Sequence, residues 1–282
     1  MNDFGMAGGR VGFLLVHDLG GTPSELHYLA SALHRSGYTV QCCQLPGHGG
    51  TQAQLVASTW QDWSAAVASA YADLRKQCPR VVAGGLSTGA ILALDLAVRA
   101  EKKPDGLLLL APGFHDTSRA VPWYSFLTRR LETSAMGRFA GSTEAVPNRM
   151  HQVLSGDSSK ARCLRPPPEA LRQLAGLLHH VKPRLGSIKC PALALHTRDD
   201  DRARLPDAAL LQRKLGGLIE CVVLNDCHHT ITIDQQRDHV VDKTLRFTEW
   251  LEAMIDEQAR RKLWRAMMHG PGNTELSSSS IS

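Results

Sequence analysis

The chain has no Cys-x-x-Cys pair. Its seven cysteines (Cys42, Cys43, Cys78, Cys163, Cys190, Cys221 and Cys227) are odd in number and scattered, which argues against a secreted disulfide framework and for reduced, mostly structural thiols. No stretch approaches the roughly 18 consecutive apolar residues that a membrane-spanning helix needs. No basic segment precedes the first apolar run, Val11 to Val16, and that run is too short for the hydrophobic part of a signal peptide. A cytoplasmic protein is therefore expected. Concentrated basic charge is also missing: the formal charge is +5, but the 32 Lys and Arg residues are spread along the chain apart from a cluster near the C-terminus. No nucleic-acid partner is expected. The adjacent His228 and His229, with the carboxylates at 199–201, lack the spacing of a metal site, and no cofactor is called for.

What is present is a 282-residue chain with 43% apolar and 21% charged residues, enough for one sizeable core plus an insertion. Its organising stretch is Val81-Val82-Ala83-Gly84-Gly85-Leu86-Ser87-Thr88-Gly89-Ala90, where an apolar run meets Gly-x-Ser-x-Gly and passes into the helix-favouring Ile91 to Arg99. That order predicts strand, sharp turn and helix. Such a turn strains the backbone at the serine, and a side chain at 85 or 89 would collide with the neighbouring strand or helix. Ser87 is thereby presented at the carboxyl end of a strand, beside a helix N-terminus that favours negative charge. The plainer alternative is an ordinary glycine-rich connection.

Before this stretch, Val11 to Val16 reads as a strand buried on both faces, and His17-Asp18-Leu19-Gly20-Gly21-Thr22-Pro23-Ser24-Glu25 as a tight loop. A helix follows over Leu26 to Ser36. The loop could aim the backbone N–H of Leu19 into the same space as that of Thr88, making two oxyanion donors. Tyr38 to Leu45 is the next strand; His48, in the turn after it, suits a structural or pocket-wall role better than that of a base. Trp60 to Gln77 is an amphipathic helix. Beyond the serine, Gly106 to Gly113 is a buried strand, after which strand-like runs cease from Phe114 to Ser187. That segment holds two predicted helices, Tyr124 to Phe139 and Glu169 to His180, and reads as an insertion over the site. Its Trp123, Tyr124, Phe126, Leu127, Met136 and Phe139 either line an acyl pocket or pack the insertion on the body. Alternation resumes with strand Pro191 to His196, helix Pro206 to Leu215, strand Ile219 to Leu224 and helix Asp238 to Glu257.

Strands and helices alternating in this way indicate an α/β fold, a doubly wound and mostly parallel sheet with ligands outside the carboxyl ends of its strands. At those ends lie Leu19, Ser87, the carboxylates Asp199, Asp200 and Asp201, and the pair His228 and His229. A serine hydroxyl needs a base within hydrogen-bond reach, and the base needs an acceptor to fix its tautomer. Serine, acid and histidine in this chain order match one known arrangement of that machinery.

Four pieces, His17-Asp18-Leu19-Gly20-Gly21-Thr22-Pro23, Pro46-Gly47-His48-Gly49, Gly85-Leu86-Ser87-Thr88-Gly89 and His229-Thr230-Ile231-Thr232-Ile233-Asp234, resemble motifs of the α/β-hydrolase superfamily. Within it the likeness is to bacterial carboxylesterases and monoacylglycerol lipases, from about Val11 to Leu251. The resemblance implies Ser87 as nucleophile, His229 as base and Asp200 as the triad acid, with Asp201 the alternative, and Leu19 and Thr88 as oxyanion donors. The strand and helix pattern divides the chain into a core of residues 1–113 and 188–257 and a cap of 114–187. The cap aligns with no family segment residue by residue, so the resemblance carries over ester hydrolysis but not substrate specificity, and an ester with an apolar acyl chain is the expected substrate. Asp18 departs from the family, standing where glycine is usual, and puts a carboxylate near a site meant to hold an anion, which weakens catalysis unless it points away. Thr88 and Ala90 also depart from the usual residues. Alternatives are a thioesterase or acyltransferase using the same triad, and a non-catalytic ligand-binding relative. Residues 258–282 read as a basic helix end and a disordered Ser-rich tail, or as a weak membrane-surface helix presenting Leu263, Trp264 and Met267.

Overall fold

The computed structural model of the chain describes residues 3–114, 166–200 and 202–268. Seven strands form one sheet: β1 (Phe4–Met6), β2 (Val11–Val16), β3 (Thr39–Cys43), β4 (Arg80–Leu86), β5 (Gly106–Leu110), β6 (Ala192–Thr197) and β7 (Ile219–Leu224), in the order β1-β3-β2-β4-β5-β6-β7. β1 runs antiparallel to β3. Every other pairing is parallel. The described helices are α1 (His27–Arg35), α2 (Gln52–Ala57), α3 (Trp60–Gln77), α4 (Thr88–Arg99), α5 (Pro168–Val181), α6 (Leu205–Lys214) and α7 (Arg237–Met268).

The central strands are buried almost throughout and largely apolar because both faces are covered. Along β2, Leu14 and Val16 join one apolar cluster, with Trp63, Val67, Leu92 and Leu211 from α3, α4 and α6. The alternate residues, Phe13 and Leu15, join the cluster on the opposite face, with Leu29 and Leu33 of α1 and Val240, Phe247 and Leu251 of α7. The two-residue period of the strand thus divides one hydrophobic run between two layers.

Local signals set the helix ends. α3 starts at a reciprocal cap: the Asp62 N–H donates to Thr59 Oγ1 at 3.2 Å and the Thr59 N–H to Asp62 Oδ2 at 2.9 Å. α2 has the same device in Thr51 and Gln54. α5 buries Ala170, Leu177, Leu178 and Val181 in the cluster under α3 and α4. Next to it, Lys182 Nζ donates to the Phe114 carbonyl at 2.9 Å, which ties the end of α5 to the residues after β5. The predicted helix Tyr124 to Phe139, the aromatic residues assigned to it and Cys163 lie outside the described residues.

The sheet and six of its strands match the expectation. The closing helix differs: it was expected over Asp238 to Glu257 and runs on to Met268. Alternating opposite charges, including Arg261 Nε to Glu257 Oε1 at 2.7 Å and Arg260 to Glu257 at 3.1 Å, support the extra turns.

Candidate active site

The turn at Ser87 is built by close approach of backbones. Ser87 has φ 53° and ψ −109°, a region that costs a non-glycine residue conformational energy and needs its surroundings to enforce it. The Ser87 N–H donates to the Leu110 carbonyl at 2.7 Å, which holds the turn against the end of β5. A Cβ at Gly85 would lie 2.1 Å from the carbonyl oxygen of Val16, and one at Gly89 2.0 Å from the same atom. The two glycines therefore let β2 run directly beneath the turn. The partly buried Ser87 stands at the N-terminus of α4, where the helix dipole favours negative charge.

Asp200 and His229 meet between the ends of β6 and β7. His229 Nδ1 lies 2.8 Å from Asp200 Oδ2 and 3.0 Å from Oδ1, and both residues are buried. Asp200 Oδ1 also accepts the N–H groups of Arg202 at 2.7 Å and Ala203 at 3.0 Å. Burial alone would raise this carboxyl. The hydrogen bond and charge of His229, with the two backbone donors, outweigh burial and hold it below the usual carboxylate range. Thr197, at the end of β6, donates to the Cys227 carbonyl and pins the histidine loop to its neighbour. Asp199 is exposed, and Asp201 lies outside the described residues. His228 points away: its ring is largely exposed, and its N–H and Nδ1 approach Asp234 Oδ2 at 2.6 and 3.0 Å.

The loop after β2 brings Asp18 into the middle of this arrangement. Oδ1 of Asp18 accepts the Leu19 N–H at 2.6 Å, the Thr88 N–H at 3.3 Å and the Thr88 hydroxyl at 3.1 Å. Oδ2 lies 3.3 Å from Arg202 Nη1 and 3.7 Å from His229 Nε2. The N–H groups of Leu19 and Thr88 thus converge on one carboxylate oxygen of the chain itself. The carboxylate points into the site rather than away from it. At 3.7 Å the contact with His229 is an ion pair, and His229 Nε2 has no hydrogen-bond partner among the described residues. Burial would lower the pKa of His229, but the Asp18 and Asp200 carboxylates on either side of the ring outweigh it and raise the pKa to about 9.

Other residues hold the loop. His17 Nδ1 donates to the Asp18 carbonyl at 2.8 Å while Nε2 accepts the Leu45 N–H at 3.1 Å, which makes the ring neutral; burial pushes its pKa down to about 3. The buried Glu25 accepts the Asp18 N–H at 3.3 Å, and its carboxylate lies where a Cβ on Gly21 would be. Thr232 of the histidine loop donates to the Glu25 carbonyl at 2.7 Å. His48 donates from Nδ1 to the Pro46 carbonyl at 3.0 Å and packs against the Trp63 and His17 rings, a wall residue and not a partner of Ser87. Arg202 and Glu25 were not singled out from the sequence. Their one signal is position, Arg202 directly after the acidic cluster and Glu25 closing the glycine-rich loop.

The protonated ring between two carboxylates makes a pH-dependent contribution to stability. The folded pKa of His229, about 9, lies above its ordinary 6.5, so the contribution is complete below about 6.5 and is lost as pH rises through about 9. The melting midpoint of the wild type relative to His229→Gln should fall over that interval. A constant difference would contradict the double-carboxylate setting.

A protein-family model described as serine aminopeptidase, S33, matches residues 10–236. The thermostable monoacylglycerol lipase of Bacillus sp. (strain H-257) is 30% identical over 241 residues, covering 85% of this chain and 90% of the relative. The carboxylesterase of Bacillus subtilis (strain 168) is 24% identical over 252 residues, covering 88% and 96%. Among solved structures, one from the metagenome-derived lipolytic enzymes LipS and LipT superposes with a TM-score of 0.68 at 24% identity, over 87% of this chain and 96% of that one. The monoacylglycerol lipase of Paleococcus ferrophilus gives 0.62 at 16% identity, over 89% and 98%. With the strained serine turn, the seven-stranded sheet and a family match spanning most of its length, the chain belongs to the serine aminopeptidase S33 family of α/β-hydrolases.

Proposed function

We propose that this chain hydrolyses carboxylic esters through an acyl-enzyme on Ser87. The observation that carries the reading is the buried His229–Asp200 pair, which faces, across the Asp18 carboxylate, the turn bearing Ser87. The similarity to a monoacylglycerol lipase and a carboxylesterase supports the same class of reaction. Ser87 Oγ attacks the acyl carbon as its proton passes to Nε2 of neutral His229, and Asp200 fixes the ring through Nδ1. The carbonyl oxygen takes the developing charge and accepts the N–H groups of Leu19 and Thr88. The alcohol leaves with the proton from His229. Water then attacks the acyl-enzyme, giving its proton to His229, and the acid is released as Ser87 recovers its hydrogen.

The proposed substrate carries an apolar acyl chain, in keeping with the aromatic-rich segment 123–139. The proposed setting is cytoplasmic, which the six free thiols among the described cysteines support; no described helix is long and apolar enough to cross a membrane. One observation favours a second reading, a non-catalytic relative: the donors of the oxyanion site are already taken by Asp18.

Hydrolysis of p-nitrophenyl esters from acetate to palmitate, with Ser87→Ala as the control, tests the main reading. Turnover should fall by about three to six orders of magnitude in the variant, and a variant as active as the wild type would overturn the assignment. At the end of α7, Trp264 is 61% exposed beside Arg260, Arg261 and Lys262, and we propose weak contact with an anionic lipid surface. Sedimentation with anionic vesicles should recover more of the full chain than of a chain ending at residue 257. Equal recovery would refute the contact.

A further inference from the structure

Resting on the serine-hydrolase reading, we propose that Asp18 is an internal occupant of the oxyanion hole, held there by Arg202, so that the folded chain is closed to acyl substrates until this carboxylate turns out. A tetrahedral intermediate presents one negatively charged oxygen to the donors of the hole. Asp18 Oδ1 presents the same charge to the same donors: the Leu19 N–H at 2.6 Å, the Thr88 N–H at 3.3 Å and the Thr88 hydroxyl at 3.1 Å. A substrate carbonyl cannot enter while that oxygen is in place. The other oxygen accepts Arg202 Nη1 at 3.3 Å and lies 3.7 Å from His229 Nε2, the nitrogen that would take the proton of Ser87. One carboxylate therefore blocks both the electrophilic and the basic half of the machinery. Its displacement frees both.

The backbone of Asp18 is fixed without help from its carboxylate. Its N–H donates to Glu25 Oε2 at 3.3 Å, and its carbonyl accepts His17 Nδ1 at 2.8 Å and the Gly21 N–H at 3.0 Å. Removing the side chain should leave the loop standing with Leu19 and Thr88 still converging. Arg202 is partly exposed, so an anion from solvent can compete with Asp18 for it. Among the described residues, the charged and titratable groups around Asp18 include Arg202 and His229, with Asp200 behind the imidazole, and the buried His17, Glu25 and His48.

The test is the second-order rate at which a fluorophosphonate probe labels Ser87 in the full chain. Asp18→Gly should label at least about tenfold faster than the wild type, with Asp18→Asn and Arg202→Gln intermediate; tenfold corresponds to about 1.4 kcal/mol of occupancy. The acid limb of the rate should move from near pH 9 toward the ordinary histidine value in Asp18→Gly, a change that a merely structural role would not produce. Equal or slower labelling in both Asp18 variants, with unchanged melting, overturns the occupant and leaves the hydrolase reading intact. No labelling in any folded variant overturns that reading and the occupant with it.

Discussion

The carbonyl oxygen of Val16 is the point on which the site depends. Side chains at 85 and 89 would come within 2.1 and 2.0 Å of it, so only glycine lets the end of β2 pass under the turn after β4. That single close approach has two consequences. It enforces the strained conformation of Ser87, and it delivers residues 17–19 to the space in front of Thr88. The serine turn and the convergence of the Leu19 and Thr88 N–H groups are thus two results of one packing constraint, supported by parallel pairing of β2 with β4 through Val16 and Gly85.

Electrostatics then decide what state the site rests in. Two buried carboxylates flank one imidazole, Asp200 at Nδ1 and Asp18 near Nε2. In an interior of low dielectric such a sandwich favours the charged ring over the neutral one despite the cost of burial. Arg202 offsets part of the second negative charge and orients it. The Asp18 carboxylate accepts the Leu19 and Thr88 N–H groups with one oxygen and faces His229 Nε2 and Arg202 with the other.

Much of this was legible in the sequence for identifiable reasons. The buried parallel strands announced themselves as continuous apolar runs, and α3 falls on the expected residues because Thr59 and Asp62 supply its start signal. The family resemblance points to Asp200, with Asp201 the alternative; Asp200 lies buried beside His229, and Asp201 is outside the described residues. β1 was missed because Phe4–Met6 is three residues on an edge, too short for a period. α2 was missed as a six-residue helix whose only mark is the Thr51–Gln54 cap. The end of α7 was misplaced because charge pairs, rather than apolar periodicity, sustain its last turns. The family resemblance marks Asp18 as a departure; where its carboxylate points depends on the loop geometry set by His17, Gly21 and Glu25, which no local pattern encodes.

The most direct measurement is the site-resolved NMR titration of the His229 imidazole, assigned by difference from His229→Gln. With Asp18 and Asp200 on either side, the ring should be protonated on both nitrogens at neutral pH and lose its proton only near pH 9. A ring already neutral at pH 7.5, titrating near 6.5, would mean that Asp18 does not face Nε2 and that the site is not held closed.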